Sequence, residues 1–167
     1  MMPSPSLLVL IVGLALAAVI DVRTRRIPNW LTAGMAAGGF GIAVGGGAVT
    51  PMHAALGMLI GLLLMLPGHV IGATGAGDVK LMAAVGAVVG SGSILWVFLY
   101  TAVAGGVFAI VVALRRGRLQ QTVFDTTRLV TAPADARVAI KASGPSNRFA
   151  YGPAIAAGTL FSLVVKP

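Results

Sequence analysis

The stretch "GATGAGDVKL", Gly72 to Leu81, decides the fold, because it reads either as a loop that cradles phosphate or as the start of a helix inside an apolar bundle. A phosphate loop needs its lysine directly before Ser or Thr, after a spaced pair of glycines, with its backbone amides facing an anion. Here Leu81 follows Lys80, and Asp78 stands where that anion would be. The phosphate reading is therefore weak, and the question becomes why so apolar a chain keeps an acid at this point.

Outward from this segment the chain is 57% hydrophobic, with a mean hydropathy of +0.97 and only 10% charged residues. Soluble domains carry roughly 25% charged residues, so the composition is that of an integral membrane protein. The 167 residues, with no polar stretch able to build its own core, predict one membrane domain over 1–167. Cys is absent, which excludes a disulfide framework and any Cys-ligated zinc or iron–sulfur site. No internal repeat is evident.

Spans of about 17–25 apolar residues are expected near 6–22, 30–49, 52–71, 78–91, 93–114 and 149–165, giving an all-α, polytopic protein of about six transmembrane helices. The fourth is short and begins at the interface with Asp78 and Lys80; Gly90 to Ser93 supply a tight turn after it. If the first span ends in the cytoplasm, Arg23, Arg25, Arg26, Lys80, Arg115, Arg116, Arg118, Arg128, Arg137, Lys141 and Arg148 all fall at cytoplasmic connections or helix ends. Of the 12 basic residues only Lys166 falls elsewhere, a positive-inside pattern that puts the N-terminus outside. The net charge of +8 thus reads as a topology and anionic-lipid signal, not as a nucleic-acid footprint. The first span is expected to be retained: Met1 to Ser6 has no positive charge, and the arginines follow the apolar run. Residues 115–148 form the one sizeable polar segment, expected to be a cytoplasmic loop with too few apolar positions for a core. Gly34, Gly38, Gly41, Gly57, Gly61, Gly105 and Gly106 are expected to let helix backbones approach closely.

The chain has four Asp and no Glu. Asp125 and Asp135 belong to the polar segment, whereas Asp21 and Asp78 border apolar spans, where an ionisable group is costly and marks a candidate functional site. The topology, drawn from Lys and Arg alone, places both at one membrane depth although 57 positions separate them (78 minus 21). Two carboxylates sharing a site do not ionise together readily, so one keeps a proton while the other acts as a base on water. That is the chemistry of an aspartic protease, and it needs no metal or other cofactor. The plain alternative is that Asp21 pairs with Arg23 or Arg25 and Asp78 caps its helix. A transporter would keep paired acids nearer the midplane, and a nonenzymatic assembly scaffold would have no need of both.

The residues also carry a resemblance. "DVRTRRIPN", Asp21 to Asn29, resembles the first motif of type IV prepilin peptidases, and "GAGDVK", Gly75 to Lys80, resembles their GxGD motif. "YGPAIAAG", Tyr151 to Gly158, is similar to the family's last helix, with Ala150 where many members have Pro. Presenilin-type proteases share GxGD but carry their first Asp after Tyr, where this chain has Ile20. The resemblance implies a GxGD aspartic protease-like bundle in the bacterial inner membrane. Its activity would be removal of the basic leader from prepilin-like proteins at the cytoplasmic face, with Asp21 and Asp78 as the catalytic pair. Its partners would be a prepilin, membrane lipids and a pilus assembly or secretion machinery, without nucleic acid. Only Arg23 to Asn29 separates the first two spans and Cys is absent, so the similarity is to the short peptidases of Flp/Tad-type pili. The longer, bifunctional members usually insert a cysteine-bearing domain there, which puts N-methyltransferase activity in doubt.

Other motif residues have physical roles. Gly75 and Gly77 would let an extended substrate approach Asp78 and would permit unusual dihedrals. Pro28 fits a first helical turn, and Asn29 could hydrogen-bond a substrate or join the turn. Lys80 is expected to snorkel to headgroups, the alternative being to bias the charge of the pair. His69 is expected at the interface. Helix dipoles favour Asp78, at a helix N-terminus, as the anion and base, and Asp21, at a helix C-terminus, as the protonated partner, an effect that Arg23 and Arg25 oppose.

Overall fold

The computed structural model describes residues 4–115 and 151–165. Among these residues six helices follow in order: α1 Pro5–Thr24, α2 Asn29–Val44, α3 Pro51–Val70, α4 Ala76–Val89, α5 Ile94–Arg115 and α6 Gly152–Val164. All six expected apolar segments are thus helical, and there is no strand among the described residues. Residues 116–148 of the expected polar loop, with Asp125 and Asp135, lie outside the described residues.

Local chemistry sets the boundaries. Ser4 accepts the amide of Leu7 and Thr50 that of His53, each followed by a proline at the first helical position, so α1 and α3 start on capped turns. α1 stops where Arg25 enters the left-handed region at φ 52°, its amide returning to the Asp21 carbonyl at 2.8 Å. Pro28, extended at φ −67° and ψ 141°, caps α2 from one position before its first turn.

Three helices, Pro5–Thr24, Pro51–Val70 and the Ile94–Val112 part of α5, are long and apolar enough to cross a membrane. They leave large side chains such as Val12, Leu59, Leu63, Val103 and Val107 exposed, a surface suited to lipid. α4 is the opposite case. At 14 residues it is about 21 Å long, short of the roughly 30 Å hydrocarbon core. It packs against every other described helix and buries ten of its residues.

Close backbone approach makes this centre. α3 and α4 run antiparallel with Gly57 against Gly86, where a Cβ on either would run into the carbonyl oxygen of the other, and with Gly61 against the Met82 carbonyl. On α2, Gly39 meets Val88 and the Ala87 backbone. The expected role holds for Gly57 and Gly61; Gly105 is covered by the Tyr151 ring rather than by a helix backbone, and Gly38 is in ordinary contact with Val9. Gly34, Gly41 and Gly106 instead face open space, because each lies on the side of its helix turned away from its neighbours. Leu14, Leu81, Met82, Val85, Ile94, Val97 and Ile155 fill the remaining core.

Candidate active site

Asp21 continues the inward face of α1. Leu10, Leu14 and Ala17 recur at helical spacing, and Asp21 is the next position on that stripe, buried with 5% exposure. Its Oδ2 accepts the Gly152 amide at 2.8 Å, a contact across 131 residues of sequence. Asp78 is at the third position of α4, 7% exposed, and its Oδ2 accepts the amide of Gly75, the residue that caps the helix, at 2.9 Å. This is half of a capping box; Gly75 has no side chain to supply the other half. The charge of Asp21 acts on Asp78, and that of Asp78 acts on Tyr151, the residue before Gly152. The two carboxylates and the start of α6 therefore share one site, with the Arg25 charge acting on Asp21 as well.

The two motifs are also joined directly. Lys80 Nζ donates to Asn29 Oδ1 at 2.9 Å, so Lys80 spans from α4 to the first residue of α2 on the exposed rim. Against the expected snorkelling, the lysine has a protein acceptor within reach, and Asn29 spends its side-chain oxygen on it. Beneath them, Ile27 is buried with Gly77 over it; a Cβ on Gly77 would lie 3.1 Å from the Ile27 Cβ. Thr24 Oγ1 donates to both the Ile20 and Arg26 carbonyls and tightens the turn between them.

Two expectations need correction. Gly75, at φ −78°, is extended, and neither it nor Gly77 has a positive φ, so unusual dihedrals do not explain the GxGD glycines. Space does: a Cβ on Gly75 would come 3.1 Å from Asp78 Oδ2, and Gly77 lies over Ile27. The dipole contrast between the acids also fails, because Asp21, near the C-terminus of α1, lies at the N-terminus of α6 as well. Each carboxylate accepts an amide at a helix N-terminus, so dipoles do not single out the base. Exposed His69 lies in the last turn of α3, its Nδ1 3.2 Å from the Thr74 carbonyl oxygen in the loop before α4.

Gly152 and Tyr151 are the site residues that reasoning from single positions misses. The available signal was Tyr-Gly-Pro directly ahead of the last apolar run, a helix start with one free amide. A cavity of about 720 Å³, lined by Ser4, Trp96 and Ser162 among others, lies at the opposite helix ends and includes neither carboxylate. No group of three His, Cys, Asp or Glu could hold a metal ion among the described residues.

The described residues thus form an apolar helical bundle with two buried carboxylates, each anchored on a backbone amide. The chain belongs to the Type IV leader peptidase family, whose model matches residues 8–110, a span that includes both Asp21 and Asp78. Membership indicates a peptidase of the leader-peptidase kind, with prepilin-type proteins as the implied substrates. Neither a curated protein nor a solved structure matches the chain.

Proposed function

We propose that this protein is a membrane aspartic endopeptidase that removes the basic leader from Flp-like type IV prepilins at the cytoplasmic face of the inner membrane. The observation that carries the reading is the pair of buried carboxylates, brought into one site from α1 and α4. In the proposed reaction, one carboxylate takes a proton from the attacking water while its protonated partner polarises the scissile carbonyl. The tetrahedral intermediate then collapses as the leaving amine gains a proton, releasing the leader and the new N-terminus. Asn29, Lys80, Pro28, Gly75 and Gly77 build the frame on which the pair is held. On this reading all six helices are membrane-embedded, the N-terminus is outside, and the surface basic residues meet anionic lipid. Mature pilin passes to the assembly or secretion machinery.

Co-expression with a candidate prepilin tests the proposal. At equal membrane abundance, leader removal disappears in Asp21→Asn and Asp78→Asn and persists in Asp125→Asn. Persistence of cleavage in either of the first two variants would sink the mechanism.

A further inference from the structure

The first turn of α6 allows a full account of its backbone donors. Pro153 has none, and the amides of Ala154 and Ile155 both reach the Tyr151 carbonyl, at 3.0 and 3.1 Å. Gly152 is the one remaining donor of that turn, and helix geometry offers it no partner within α6. Its acceptor is Asp21 Oδ2, in a buried contact. The carboxyl group lies directly on the glycine: a Cβ at Gly152 would stand 2.9 Å from Oδ2 and 3.3 Å from Cγ of Asp21. The start of α6 is itself seated from α5, where the Tyr151 ring covers Gly105 so closely that a Cβ there would fall 2.8 Å from Cε2 and Cζ.

We infer that the Gly152 amide is the positioning group for Asp21, seated by Tyr151 on Gly105, so that α6 completes the catalytic unit although it lies beyond the residues the family model matches. This rests on the aspartic peptidase reading above. A carboxyl group on a flexible Cα–Cβ bond has several rotamers. One oxygen fixed on a backbone amide and packed on a Cα restricts that freedom and leaves the second oxygen for the partner acid and the water. Asp78 obtains the same restraint locally from Gly75, three residues away. Asp21 has to obtain it from a helix 131 residues on.

The test removes the donor alone. Cell-free synthesis into liposomes, with glycolic acid in place of Gly152, replaces the amide by an ester; leucic acid at the exposed Leu160 is the control for an ester elsewhere in α6. Steady-state cleavage of a purified prepilin is expected to show kcat lowered about ten- to a hundredfold, as for loss of a hydrogen bond to a charged group. KM and the thermal midpoint should match those of the Leu160 ester. A kcat equal to that control, or a loss carried by KM, overturns the inference. Gly105→Ala, which reaches Asp21 only through Tyr151, is the second variant: lowered kcat at retained KM supports the assignment, and unchanged kcat overturns it. Asp21→Asn in the same assay separates the two levels. If it still cleaves, the peptidase mechanism is wrong; if it is inactive while the Gly152 ester keeps full kcat, only the positioning role falls.

Discussion

The Lys80–Asn29 hydrogen bond makes a quantitative prediction, because it is a side-chain hydrogen bond between the two aspartate-bearing motifs. The perturbation is a double-mutant cycle of Lys80→Met, Asn29→Ala and the double variant. At 2.9 Å the bond is charge-assisted and short, but both residues are on the exposed rim, where water competes for each partner. Exposed polar pairs of this kind couple by about 0.5–1 kcal/mol, well below the value of a buried charged hydrogen bond. At 1.4 kcal/mol per tenfold, that coupling is about two- to fivefold in kcat/KM. Each single variant should thus lose roughly two- to fivefold in leader-cleavage rate in proteoliposomes, and the double variant should lose no more than the worse single. Lys80→Arg, which keeps a cationic donor, should recover part of the loss. Losses that multiply in the double variant would show that Lys80 and Asn29 act separately, and would refute the idea of a brace between the motifs.

The glycines give the next predictions. Gly57→Ala forces a Cβ onto the Gly86 backbone and should lower stability by about 1–3 kcal/mol, the usual cost of overpacking. Gly34→Ala, with open space around it, should leave the unfolding midpoint in detergent unchanged. Gly75→Ala brings a Cβ to 3.1 Å from Asp78 Oδ2, so kcat should fall about tenfold with KM retained, read from initial rates across substrate concentration. Because the chain has no cysteine, single introduced thiols report topology without background. Arg26→Cys should label only from the cytoplasmic side and Gly46→Cys only from the outer side; the reverse pattern would invert the proposed orientation.

What could be read from the sequence followed from how local each signal is. Apolar runs, proline starts and turn glycines are short-range, and the six helices lie close to the expected segments. Asp21 and Asp78 stood out because each borders an apolar span, where an ionisable group is costly, and because the Lys and Arg pattern put both at one membrane depth. The Gly152 contact left no comparable trace: a glycine amide carries no side chain, and its acceptor is set by how α6 docks against α1. Lys80 was misjudged for a similar reason, since its acceptor belongs to another helix 51 residues away. The dipole argument failed on the same point; from one sequence Asp21 has only its own helix, whereas in the fold it has two.

The central position of α4 also bears on how a substrate must reach the site. α4 is antiparallel to α3 in a register that sets Gly86 against Gly57 and Met82 against Gly61. At the far end the same register brings the Ser91 amide to the His53 carbonyl, so α4 is flush with α3 there. Carried the other way, it puts Asp78 level with Met65, five residues before α3 ends at Val70 (70 minus 65). That sets the carboxylate roughly 8 Å inside the end of α3. Asp21 is likewise set in, three residues before the end of α1 (24 minus 21), or about 4–5 Å. On the proposed reading, the scissile carbonyl must therefore descend about a turn into the bundle. A helical substrate segment cannot offer it there, because its carbonyls are bonded within its own helix. Two to three residues in extended form cover about 7–11 Å, which matches the depth of Asp78. The short α4 thus demands local unwinding of the cleaved junction, a requirement set by helix length before any side-chain specificity applies.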